Sequence, residues 1–180
     1  MTDNNSIQPH EELYGAMKSL PGWHYVLESA QEFGGSGPGT RTVGALISSV
    51  LLAGGEDVVP IAVTGQADAE AGTGTLFVFY PGIIVEATGS QLRSAEASFR
   101  TSVHPTRQAR NLHVTTKHSY FSGTDAHPRT RGFGFGVTVD QQEMEFESPN
   151  WGYQRSPLTT DEAIYAAFSA IRDQVAEVPA

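Results

Sequence analysis

Two periods of hydrophobicity organise the last third of the chain. Ile164, Phe168, Ile171 and Val175 recur at i, i+4, i+7 and i+11, one apolar stripe on a helix, while Glu162, Arg172, Asp173 and Glu177 fall elsewhere around it. This spacing predicts a helix near residues 160–176. Pro157, Thr159 and Glu162 form a capping-box sequence at its start, with Thr159 as the expected cap. Upstream the period falls to two. Phe133, Phe135, Val137 and Val139 share one face of a strand over residues 132–139. Met144 and Phe146 oppose Glu143, Glu145 and Glu147 on a strand over 143–148, reached through Asp140-Gln141-Gln142. One face of this hairpin is predicted to be core and the other solvent.

Towards the N-terminus, Leu13, Met17 and Leu20 stand at helical spacing over residues 9–20, and Pro21-Gly22 stops that element. A short helix or strand follows at 23–33. The run Gly34-Gly-Ser-Gly-Pro-Gly39 reads as a flexible boundary. Residues 42–53 read as a helix with Leu46, Ile47, Val50 and Leu51 on one side and Gly54-Gly55 as its stop. Further strands are predicted at 58–66, 75–80, 83–88, 97–103 and 112–116. The expected class is α+β, an antiparallel curled sheet or small barrel closed by a C-terminal helix. The expected organisation is an N-terminal helical extension, residues 1–42, and a main domain, 43–180. No internal repeat is apparent.

Composition narrows the chemistry. The 180 residues hold no cysteine, which excludes disulfides and thiolate catalysis and fits a reducing, cytoplasmic setting. Residues 1–8 are polar, so no secretory signal is expected. The longest apolar run, 43–53, contains Ser48 and Ser49 and falls short of the roughly 20 residues a bilayer span needs. Net charge is −9, against a general nucleic-acid binder. Its distribution is uneven. Arg93, Arg100, Arg107, Arg110, Lys117, Arg129 and Arg131 face only Glu96 and Asp125 in their segment, a local balance of +5, so the remainder carries −14. His104, His113, His118 and His127 lie in the same segment. The plain reading is a set of solvated basic loops. The functional reading is a contact face for an acidic protein, a second copy of the chain, or anionic ligand groups.

The order of elements carries a resemblance. A helix ending in Leu51-Leu-Ala-Gly-Gly-Glu-Asp-Val-Val59, then an antiparallel meander including 75–88, then a capped final helix resembles the bacterial pleckstrin-homology-like domains over about residues 43–178. Tyr80-Pro81-Gly82 replaces the Thr-Asp-Arg-Arg turn often seen in such domains, and the stretch 91–130 is longer than expected. The resemblance implies a non-catalytic binding scaffold with no cofactor.

Other motifs point elsewhere. Arg131-Gly-Phe-Gly-Phe135 matches the opening of an RNA-recognition motif, with Leu76-Phe-Val-Phe-Tyr80 as partner strand, although the surrounding element order does not complete that fold. His113, His118, His127 and Asp125 have no metal-site spacing, and residues 34–41 lack the Lys-Ser/Thr of a phosphate loop. No catalytic constellation is recognisable. A hydrolase or transferase would have to use a site that no motif encodes.

Overall fold

The computed structural model describes residues 8–32, 38–94, 96–116, 132–148 and 156–176. Three helices come first: α1 (Pro9–Lys18), α2 (Trp23–Glu32) and α3 (Pro38–Gly54). Seven strands follow: β1 (Ala62–Asp68), β2 (Thr73–Tyr80), β3 (Ile83–Ser90), β4 (Ser98–Pro105), β5 (Arg110–Thr116), β6 (Phe133–Val139) and β7 (Gln142–Glu147). Helix α4 (Asp161–Ala176) ends the described chain. The class is α+β with antiparallel sheets and a C-terminal helix. Among the described residues the strands form two sheets, β1-β2-β3-β4 and β5-β6-β7, rather than closing into one barrel. No described helix is long and apolar enough to cross a membrane.

The first sheet carries core on both faces over part of β1–β3, and that sets the layering; towards the other end of the sheet Gln66, Thr88 and Arg100 are exposed. Val63, Leu76, Val78, Tyr80, Val85 and Ala87 point one way, onto Leu13, Met17, Trp23, Leu46 and Val50 of the three helices. The intervening Ala62, Phe79 and Ile84 point the other way, onto Phe135, Val137, Phe146, Ile164 and Phe168 of the second sheet and α4. Residues buried on both sides of a sheet read as continuous apolar runs, which is why Leu76–Tyr80 and Ile83–Val85 lack polar alternation. The expected hairpin pattern holds for the second sheet: Phe133, Phe135, Val137, Val139, Met144 and Phe146 are buried and Glu143, Glu145 and Glu147 are exposed. Phe135 and Phe146 stand 5.0 Å apart, and Phe79 meets Phe146 edge-on at 4.8 Å. Such pairs add to area burial.

Local expectations shift in several places. Helix α3 starts at Pro38 rather than residue 42, so the end of the expected flexible run 34–39 is helical. β1 starts at Ala62 rather than residue 58, because Pro60 has no N–H to give a ladder and Val58 and Val59 remain exposed. The cap of α4 is Thr160, whose Oγ1 accepts from the Ala163 N–H at 3.2 Å, rather than Thr159. Thr159 turns inward instead, with its Oγ1 2.9 Å from Ser19 Oγ, and ties the end of α1 to the start of α4. Phe133 and Phe135 of the RNA-like motif are core residues, so neither ring is presented to a base.

The turn between α1 and α2 finishes the outer edge of β1: the Ala67 N–H donates to the Pro21 carbonyl at 2.9 Å. Gly22 follows with φ of +75°, and a Cβ there would lie 1.7 Å from the Ala67 carbonyl oxygen. Only glycine fits. Left-handed strain alone costs an ordinary residue about 1–2 kcal/mol, and the clash adds to it. Gly22→Ala should therefore lower the urea midpoint by more than about 2 kcal/mol equivalent; an unchanged midpoint would show that the turn does not brace the sheet.

Candidate functional site

The outer face of the second sheet is built in rows by its register. Thr115, Gly134 and Glu147 align across β5, β6 and β7, as do His113, Gly136 and Glu145, and then Arg110, Thr138 and Glu143. A bulge between Arg110 and His113, with Asn111 at φ of +52°, brings Arg110 and His113 to the same face despite their odd separation. Gly136 leaves room in the middle. A Cβ there would come within 2.3 Å of His113 and 2.4 Å of Glu145. The two side chains therefore meet over the central strand, His113 Nε2 to Glu145 Oε1 at 2.8 Å, each about half exposed.

His113 Nδ1 lies 3.2 Å from the Asn111 carbonyl oxygen. With acceptors at both ring nitrogens the imidazolium is favoured. The pKa is raised above 6.5, first by the Asn111 carbonyl, which desolvation opposes, and then by Glu145 and Glu143. The row is a charge clamp on an exposed face.

The basic segment is not gathered in one place. Arg93 follows β3 and donates from Nη1 to the Ala69 carbonyl at 3.2 Å. Arg100 sits on β4 opposite Thr88, Arg107 in the 3-10 turn after β4, and Arg110 at the start of β5; all four arginines are exposed. None of the four holds an ion pair with a described carboxylate. Lys117, Arg129 and Arg131 lie outside the described residues, as do His118, Asp125 and His127 of the imagined metal set. Among the described residues no group of three or more His, Asp or Glu is arranged to hold a metal ion.

His104 departs from the segment's character. It is 7% exposed, and its Nε2 lies 3.0 Å from Glu86 Oε2 on the neighbouring strand. Gln142 of β7 donates from Nε2 to both Glu86 oxygens at 3.3–3.4 Å. A carboxylate on β3, an imidazole on β4 and an amide on β7 thus join the two sheets. Two residues after His104, Thr106 donates from Oγ1 to Gln174 Oε1 of α4. Sequence reasoning missed this junction. The available signal was Glu86 itself, a lone charge inside Ile83-Ile-Val-Glu-Ala87.

Cavities open on the surface among the described residues. One of about 650 Å³ lies where the β1–β2 hairpin meets α2, with Tyr25, Gln66, Asp68, Thr75 and Thr88 in its wall. Asp68 is engaged there in its own turn, accepting from the Glu70 and Ala71 N–H groups at 2.9 Å. Another, about 760 Å³, is a groove between α1 and α3.

Two measurements test these arrangements. The raised pKa of His113 means that its contribution to stability is full below the unfolded value of 6.5 and fades as pH rises through the folded value. In an NMR titration His113 should titrate above 6.5, and Glu145→Gln should bring it down only part of the way, because the larger Asn111 contribution survives. His104→Ala should cost on the order of 3 kcal/mol by leaving Glu86 confined without its partner. A loss below 1 kcal/mol in chemical denaturation would mean that the junction does not hold the sheets together.

Compared with known proteins, the chain matches no family model, no curated protein and no solved structure.

Proposed function

We propose that this protein is a non-catalytic, pleckstrin-homology-like binding module that docks an acidic protein partner along the β4–β5 margin. One observation carries the reading. Arg100, Arg107 and Arg110 stand exposed in sequence on β4, its following turn and β5, without carboxylate partners among the described residues, in a chain whose net charge is −9. Charges already neutralised within a fold contribute little to association, whereas uncommitted ones steer an oppositely charged partner and act chiefly on the association rate.

The element order, seven antiparallel strands followed by one helix, supports the scaffold type. A protein partner is favoured over RNA because the aromatic residues of the RNA-like motif are spent on the core. The two His–carboxylate pairs are already committed, His104 and Glu86 to one another and Gln142, and His113 to Glu145 and the Asn111 carbonyl. That saturation supports a structural use over a catalytic one.

The double variant Arg107→Glu/Arg110→Glu tests the surface. Proteins crosslinked to the wild-type chain at physiological salt should be lost from the variant, and recovery by the wild type should fall steeply with added salt, since screening sets in over about 8 Å. Thermal stability should stay within about 0.5 kcal/mol, as for exposed substitutions generally. Capture that depends on nucleic acid and disappears with ribonuclease would overturn the protein-partner reading, and unfolding of the variant would show the arginines to be structural.

A further inference from the structure

The groove between α1 and α3 has a different chemistry from the arginine margin. Helix α3 carries one charged residue, the exposed Arg41 in its first turn, and none from Thr42 to Gly54, where its solvent side presents Gly44, Ala45, Ser48 and Leu52. A solvent-facing helix surface normally carries charge. Ser48 donates its hydroxyl to the Gly44 carbonyl at 2.9 Å, so this surface offers few polar groups that need water. Leu52 is 66% exposed. Gly44 on α3 and Gly15 on α1 have nothing within 4 Å of where a Cβ would stand, so both leave a notch in the outer surface. Tyr14, Ile47 and Leu51 line the groove, with His10 and Glu11 at its rim.

The charges of α1 indicate what fits. Glu11, Tyr14 and Lys18 follow one another at i, i+3 and i+7 on a single face, with the carboxylate in the first turn and the ammonium in the last. Lys18 Nζ stands 5.1 Å from the centre of the Tyr14 ring, which holds the cation along that face. A helix face that is acidic at one end, basic at the other and uncharged between is complementary to its own antiparallel copy. The separation of the two charges, about 10 Å along the axis at ~1.5 Å per residue, brings Glu11 of each copy opposite Lys18 of the other when the helices cross at Tyr14 and Gly15. That is the requirement of a two-fold interface, in which one patch serves both partners.

We infer that the α1–α3 groove is a self-association surface, occupied by α1 of a second copy of this chain lying antiparallel to its own α1. The apolar floor supplies the contact and the two symmetry-related Glu11–Lys18 pairs set direction and register. The surface is separate from the arginine margin, so a dimer would leave both margins free and present them in duplicate.

Sedimentation velocity of the full chain from micromolar to submillimolar concentration tests this. A reversible monomer–dimer equilibrium is expected. Ser48→Arg, which puts a charge on the groove wall, should abolish it with the thermal midpoint of the dilute protein unchanged. Glu11→Lys and Lys18→Glu should each weaken the dimer by about fivefold or more, the scale of two exposed ion pairs, and the combined swap should restore it to within about threefold of wild type. A wild-type chain that is monomeric throughout, a dimer indifferent to Ser48→Arg, or a swap that fails to restore would each overturn the inference. Arg107→Glu/Arg110→Glu should leave the equilibrium untouched, and Ser48→Arg should leave acidic-partner capture in place. Failure of one surface is thereby distinguished from failure of the other.

Discussion

Burial of the first sheet on both faces is the constraint on which the remaining layers depend. A four-stranded sheet with apolar residues on alternate sides cannot be satisfied by a single cover. Leu76, Val78 and Val85 demand the helices α1–α3; Phe79 and Ile84 demand something on the opposite side. The second sheet and α4 meet that demand together. Phe135 and Phe146 reach Phe79 from the sheet, and Phe168 stands 5.6 Å from Phe135 to close the cluster from the helix. Polar links across these layers are few and specific. Thr64 of β1 donates to the Glu147 carbonyl of β7 at 2.7 Å, Glu86 joins His104 and Gln142, and Ser148 donates to Asp161 at the start of α4. Apolar contact supplies most of the cohesion, while these bonds fix how the layers register.

The second sheet solves a different problem, since only one of its faces is dry. Its outer face places three carboxylates of β7 beside His113 and Arg110 of β5, with Gly134 and Gly136 between. Had β6 carried ordinary side chains at these positions, the β5 and β7 side chains would be kept apart. The glycines cost strand propensity and gain a lateral ion pair across two ladders. The pairing of His113 with Glu145 makes this face a weaker candidate for a charged partner than the β4–β5 margin, to which Arg110, without a carboxylate partner among the described residues, also belongs.

Legibility in the sequence followed the periods. The stripe Ile164, Phe168 and Ile171 is buried as its spacing requires, and the alternation is reproduced through β7, whereas β6 is buried almost throughout because Gly134 and Gly136 lie beneath side chains of β5 and β7. The double-sided burial of β2 and β3 was legible as composition but not as layering, because a continuous apolar run does not say what covers each side. Ala163 and Ala167 are buried in α4 without having marked the stripe, being too small to weigh in it. His104 was read with the basic segment because its partner Glu86 is 18 residues away and becomes a neighbour only through strand register. Thr159 and Thr160 are adjacent and chemically equal as caps; the choice was made by Ser19, 140 residues earlier, which engages Thr159. Local signals fixed elements well. Pairings made through the fold stayed hidden.

What the fold leaves exposed is therefore informative about use. On the outer face of the second sheet His113 and Glu145 are matched, the β4–β5 margin carries arginines without carboxylate partners among the described residues, and the α3 surface carries no charge beyond Arg41 in its first turn. Matched charges cost little to leave in water and gain little from a partner. Unmatched cations gain rate and orientation from an acidic one. A notched helix surface with little charge gains mainly by excluding water, so shape supplies the contact there and the charges of α1 only its direction. The two unmatched surfaces lie on opposite layers of the structure, the helices on one side of the first sheet and β5 on the other, which allows one molecule to use both at once.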